Sequence, residues 1–359
     1  MDPTQLIPIP DILPAPWGLF NILLIVTFTI HLLLANILLG GTFLALRQSL
    51  TKPDAITAER CPLEDSKKLP FVMALTINMG VAPLLFLQVI YGQFFYVSSV
   101  LMAVYWLSIF LLIIFAYYGI YLFVYKYNAL ARARVWIMGT TLIFLIIVGF
   151  FFSNSLVLMI DPASWTDYFT RPDGKIIHLF GSTLIPRYLH FILASLATAG
   201  LLIGLKGWWM ERKGYPVVET IYGNGLVFYG IITGFQFFIG AWYLGTIPPE
   251  VLSAVVFESH LAFPVFLVSI VTGLGSILFS LSKMPLHTAI TFLLTIFFMI
   301  LFRYSIREAH LTQYFNQNRP EVVTQLGPAI IFFIIFAIGI LLIAFLIRLA
   351  MHAGQEASV

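Results

Sequence analysis

Residues 18–46 read GLFNILLIVTFTIHLLLANILLGGTFLAL and contain no Asp, Glu, Lys or Arg. A helix needs about 20 apolar residues to cross the hydrocarbon layer of a bilayer. This run therefore decides the fold class: it is a membrane span. The rest of the chain agrees. Of its 359 residues, 60% are hydrophobic and 10% charged, against roughly 25% charged in an ordinary soluble domain. Similar runs lie at about 18–46, 71–96, 100–125, 135–158, 184–206, 218–245, 252–281, 286–303 and 327–350. Lipid offers no hydrogen bonds to an open backbone, so helices are expected throughout. The expected fold is an all-α integral membrane protein, a bundle of about nine transmembrane helices in a single membrane domain over residues 1–359. The second and third runs are separated by only VSSV. The first lacks the basic flank and short length of a signal peptide and is expected to be an uncleaved span.

Orientation follows from the distribution of basic residues. With the N-terminus outside, thirteen of the nineteen Lys and Arg fall on the inside, among them Arg47, Lys52, Arg60, Lys67, Lys68 and Arg132. The outside segments and helix ends hold Arg171, Lys175, Arg187, Arg303, Arg307 and Arg319. The C-terminus is then inside. Outside loops are expected at 159–183 and 304–326. A net charge of +3, spread along the chain, gives no footprint for nucleic acid. Cys61 is the single cysteine, so neither an internal disulfide nor a covalently attached c-type haem is possible.

Ionisable residues within spans are costly and mark function by default. His31 falls in span 1, His190 in span 5 and His260 in span 7, with Glu258 beside it on another face. His190 and His260 lie about six and eight residues inward from the outside ends of their spans, which places both roughly 10 Å below the surface. Two neutral imidazoles at one depth suit the two axial positions of a six-coordinate haem b. Arg187, one turn outward of His190, is placed to pair with a propionate. His31 is expected deeper, with small residues one turn away on its face and Gly40 and Gly41 below. That face admits a flat macrocycle. It equally admits close helix packing, with His31 as an interhelical hydrogen-bonding residue. His178 and His310 are expected on the surface, and His287 and His352 at inside helix ends. Carboxylates are nearly absent from the spans, which argues against a proton-driven transporter.

These residues resemble a known family. HLLLANILLGG looks like the first helix of cytochrome bd oxidase subunit I, and INMGVAPLLFLQVIYGQFF like its second. FSNSLVLMIDP resembles the end of its fourth span, and IPRYLHFILASLATAGLLIGLKG its fifth. The nine spans and outside N-terminus also agree, and the chain is identified as a divergent member of that superfamily. The resemblance implies that His31 ligates an active-site haem and His190 one side of a low-spin haem b. The family completes the latter with a methionine on span 7, where this chain offers His260. Departures are clear. The long quinol-binding loop between spans 6 and 7 shrinks to GTIPPEVLS, the paired glutamates of span 3 have no counterpart, and near span 8 only Arg303 survives, in MILFRYSIREAHL.

The expected function is a haem-b-binding membrane subunit of a respiratory electron-transfer complex, with two or more haems. His31, His190 and His260 would serve as iron ligands, and Arg187 and Arg303 would bind the cofactor. Electrons would be exchanged with a periplasmic c-type cytochrome or the quinone pool, beside other membrane subunits, in a prokaryotic inner membrane. One alternative is a terminal oxidase reducing O2 at a haem on His31, which would make His31 catalytic. Another, of a different class, is a cofactor-free transporter or membrane anchor.

Overall fold

Each apolar run becomes a helix in the computed structural model, which describes residues 3–50, 66–179, 183–214, 219–315 and 320–356. Among the described residues, nine long helices follow one another: α1 (Trp17–Leu50), α2 (Leu69–Leu101), α3 (Ala103–Tyr125), α4 (Ala133–Ile160), α5 (Leu184–Arg212), α6 (Glu219–Gly245), α7 (Ala262–Leu281), α8 (Pro285–Leu311) and α9 (Leu326–Glu356). Among the described residues, α1 to α8 are eight helices long and apolar enough to cross a membrane. The ninth occupies the place of the last expected span and is apolar over Leu326–Leu342. Every side chain from Ile330 to Phe336 on it is exposed. Cys61, Lys52, Arg60 and Arg319 lie outside the described residues.

Lipid tails are as apolar as leucine, so helices in a bilayer associate through close packing and polar contacts rather than by expelling water. The contact between α1 and α5 shows both. The Ser195 hydroxyl donates to Asn36 Oδ1 at 2.9 Å. A methyl group on Gly40 would lie 2.7 Å from the Ser195 carbonyl oxygen and 3.0 Å from the Ala199 nitrogen. The small residue thus serves helix packing rather than making room for a macrocycle. Asn36 and Gly40 meet Ser195 and Ala199 in the same chain order, so α1 and α5 run parallel. The contact of α2 with α1 runs the other way, Thr76 and Gly80 meeting His31 and Tyr91 meeting Trp17. The end at which α1 begins is called here the upper end.

At the upper end, α2 stops at Leu101 and α3 starts at Ala103, with Met102 as the break. The freed backbone groups are satisfied by the loop after α4. Ile176 N–H donates to Leu101 O at 3.1 Å, and Val104 N–H to Gly174 O at 3.1 Å. Asn154, fully buried on α4, holds that loop from below. Its amide donates to Ile176 O at 3.0 Å, and its oxygen accepts from His178 N at 2.9 Å. The segment after α4, 161–179, is therefore a packed cap with its own 3-10 helix, Pro162–Phe169.

Two expected boundaries move. Helix α7 begins at Ala262 and not near 252, because the chain turns extended at Ser259 (φ −91°, ψ 111°), whose hydroxyl accepts the Ala262 N–H at 3.2 Å. The preceding stretch is a short helix, Pro249–Ser253, running into one π-turn, Ala254–Glu258. Helix α8 continues to Leu311 and takes in the first third of the expected 304–326 loop. Its added turns bury Ile306, His310 and Leu311 and hold Arg307 and Glu308 partly buried.

Candidate functional site

The Asn36–Ser195 hydrogen bond sets the register that matters. His31 is five residues before Asn36 on α1, and His190 is five before Ser195 on α5. Five residues span about 7.5 Å of helix, so on parallel helices the two imidazoles sit at one depth. This corrects the expectation that His31 lies deeper, because α1 starts further out than α5.

The two rings turn to opposite sides of the α1–α5 contact. His31 faces α2, where its Nδ1 lies 3.0 Å from the Thr76 carbonyl oxygen. A carbonyl only accepts, so Nδ1 carries the proton and Nε2 of the neutral ring keeps its lone pair. Gly80 lets the ring lie flat against α2; a methyl there would stand 2.8 Å from His31 Cε1. His190 faces α6, where the Gln236 amide donates to the His190 carbonyl at 3.3 Å and Gly240 faces the ring. Its Nδ1 is buried and has no hydrogen-bond partner among the described residues.

Above the histidines lies a group of arginines, Arg187 and Arg303 about one turn up and Arg307 further toward the upper end. Arg187 on α5 donates to the Tyr243 hydroxyl of α6 at 3.0 Å. Arg303 on α8 lies over the Phe28 ring of α1, 4.6 Å from its centroid, and within Coulombic reach of both Arg187 and Arg307. Arg307 lies over the Tyr91 ring of α2 at 4.5 Å, with its Nε buried and without a partner among the described residues. The carboxylate that meets this group is Glu308, which accepts a hydrogen bond from the Tyr91 hydroxyl. Helix α2 leaves helical geometry at Tyr91 (φ −127°, ψ 30°), and this bend coincides with the contact. Three guanidinium groups drawn together against one carboxylate leave positive charge uncompensated at partial burial, which is costly without an anion.

Of the residues singled out in the sequence, His31, His190, Arg187 and Arg303 are brought into one region. His260 is not. It stands exposed in the turn before α7, which follows the extended residue Ser259, and no described contact joins it to His190. His310 is buried rather than on the surface, at 9% exposure, with Nδ1 donating to Ile306 O at 2.9 Å. His178 pairs with Asp161 at 3.4 Å. Arg307, Glu308, Tyr91, Thr76 and Gly80 were missed. The four-residue spacing of Arg303 and Arg307 continues the helical period and was the available signal.

No protein-family model matches the sequence, and no curated protein matches it. Among solved structures, the bd oxidase from Geobacillus thermodenitrificans is similar, with a TM-score of 0.66 over 96% of this chain and 96% of that chain. The sequence identity is 11%, so the likeness concerns the fold alone. This chain has a bd-oxidase-like membrane fold.

Proposed function

We propose that this protein is a haem-b-binding electron-transfer subunit of a membrane respiratory complex. The observation that carries the reading is the pair Arg187 and Arg303 about one turn above two level histidines, with Arg307 above them. Haem presents a flat macrocycle, an iron seeking imidazole nitrogen, and two carboxylates at one edge. The residues fit that set: His31 keeps a free Nε2 lone pair, His190 has a buried Nδ1 without a partner among the described residues, and Arg187, Arg303 and Arg307 meet one carboxylate, Glu308, among the described residues. His31 and His190 turn toward different helices, so each would hold its own haem. Bound there, haem b supplies one-electron transfer between redox partners. The protein's part is to fix the imidazole tautomer through Thr76, to neutralise the propionates, and to exclude water with the packed upper cap.

The distribution of basic residues supports an outside position for the upper end, in a prokaryotic inner membrane. A c-type cytochrome would then dock on the cap, where Phe169 is exposed beside Arg171 and Lys175. The short α6–α7 connection supports such a carrier over the quinone pool. In this reading His260 is a surface residue. A second reading, O2 reduction at a haem on His31, is favoured by the likeness to an oxidase.

A reduced-minus-oxidised spectrum and pyridine haemochrome of the purified protein test the reading, and haem b bands are expected. A protein without them is an anchor or transporter. CO binding to the reduced form decides for the oxidase. Gly80→Ala is expected to push the His31 ring off Thr76 and remove the His31-dependent bands. Gly240→Ala is expected to leave the spectrum unchanged, since a methyl there clears His190 by 3.8 Å.

A further inference from the structure

Helices α3 and α4 run antiparallel, with Phe115 meeting Phe144 and Tyr127 meeting Arg134. Between those contacts Gly119 lies so close to the Thr141 hydroxyl that a methyl group there has no room. Thr141 is buried and forms the floor of a groove of about 660 Å³ toward the lower end, opposite the cap. The exposed walls are aromatic, with Phe115, Tyr118 and Tyr125 on α3 and Trp136 on α4, and Lys126 lines the mouth. We propose that this groove binds one anionic glycerophospholipid, an acyl chain lying along the aromatic walls and the phosphate at Lys126 and Arg132. None of these residues is a haem ligand in the reading above, and the inference stands apart from it.

The dimensions suit a lipid chain. Phe115 and Tyr125 are ten residues apart on α3, which is about 15 Å of helix. The hydrocarbon core of a bilayer is about 30 Å thick, so the groove runs the depth of one leaflet. Phe115 and Phe144 close its deep end, their ring centroids 6.2 Å apart. Tyr125 and Trp136 stand at the opposite end, and such amphipathic rings favour the headgroup level. One wall is already set: the Tyr121 ring stacks on Tyr117 at 5.0 Å and on Tyr125 at 5.5 Å. A chain entering the groove therefore has little side-chain ordering to impose on that wall.

Charge decides the headgroup. Lys126, Arg132 and Arg134 gather at the turn between α3 and α4, where Arg134 lies over the Tyr127 ring at 4.6 Å. No Asp or Glu occurs from residue 66 to residue 160, so α2, α3 and α4 bring no carboxylate to this turn. The segment 51–68 carries four acidic and four basic residues and does not offset the three cations. Basic pockets between helices attract the phosphate of an anionic lipid. A zwitterionic headgroup brings its own cation, and a quinone brings no charge to match.

The test is native mass spectrometry of the purified full-length protein in mild detergent, titrated with phosphatidylglycerol or phosphatidylcholine. The wild type is expected to hold one phosphatidylglycerol at concentrations where no phosphatidylcholine is retained. Each basic residue near the headgroup is worth about fivefold in affinity for an anionic lipid. The double exchange Lys126→Gln, Arg132→Gln is therefore expected to weaken phosphatidylglycerol by roughly 25-fold and to leave phosphatidylcholine unchanged. Thr140→Trp, which fills the groove from an exposed position on α4, is expected to lose the bound lipid. The control is Arg212→Gln, Lys213→Gln at the lower end of α5, where those side chains lie over Trp208 and Trp209, and it is expected to behave as wild type. Equal affinity for the two lipids overturns the proposal and leaves the groove to a quinone or a helix of another subunit. An equal loss in the α5 control overturns it as general charge attraction, and retained phosphatidylglycerol in Thr140→Trp overturns it by placing the lipid elsewhere. Should the Lys126 and Arg132 exchange not assemble, Trp136 decides. Phosphatidylglycerol brominated in its acyl chain is expected to quench the fluorescence that Trp136→Phe lacks, at lower ratios than brominated phosphatidylcholine; equal quenching by the two overturns the proposal.

Discussion

His190→Leu is expected to assemble in the membrane and to lose one haem equivalent, while His260→Leu loses none. The pair of exchanges is informative because of what His190 does not do. Its Nδ1 is buried without a partner among the described residues, and the ring's one polar contact is with the Gln236 backbone, so leucine in its place gives up little. Removing a polar group that is largely unpartnered is close to neutral for the polypeptide alone. In a chain without cofactor, His190→Leu would therefore melt close to the wild-type temperature. In a haem protein it melts lower, because the stabilisation contributed by the bound group disappears with its ligand. Pyridine haemochrome counts the haem and a thermal melt in detergent reads the stability. Retained haem with an unchanged melting temperature would sink the assignment of His190. Loss of haem in His260→Leu would restore the histidine pair expected from sequence.

The second large effect concerns Gly40. A methyl group there meets the Ser195 oxygen at 2.7 Å and the Ala199 nitrogen at 3.0 Å, and both are backbone atoms that cannot swing aside. Gly40→Ala must push α1 and α5 apart, and overpacking of this kind costs about 1–3 kcal/mol. Separation also breaks the Ser195–Asn36 bond that levels His31 with His190. Lower melting temperature and disturbance of both haem signals are expected together. Gly139→Ala on α4, where the nearest atom stands 3.9 Å away, is the control and is expected to be neutral or to stabilise by about 0.4–1 kcal/mol. Equal stability of Gly40→Ala and Gly139→Ala would refute the packing role.

The helical membrane class could be read directly from the apolar runs, because a bilayer admits few alternatives. His31, His190, Arg187 and Arg303 were legible as costly residues, and they do gather. Depth was not legible. Counting residues from the edge of an apolar run assumes that helix and run end together. Ser259 breaks that assumption by turning extended inside the apolar stretch, which moves His260 into a turn before α7. The converse error hid Arg307 and Glu308, since polar residues after Arg303 looked like loop while the helix carried them inward. Hydropathy reports the solvent a residue prefers, and the partners that offset a buried charge lie on other helices. Only the Tyr91 and Phe28 contacts reveal those.

The short backbone pairing at the upper end carries a consequence for biogenesis. Leu13 N–H donates to Glu321 O at 2.8 Å, and Val323 N–H donates to Leu13 O at 2.9 Å, so the start of the chain is stitched to the segment just before α9. The ribosome delivers these partners almost a whole chain apart. The leading segment must therefore wait unpaired while eight helices are threaded into the membrane, and this stitch closes only when the final helix is delivered.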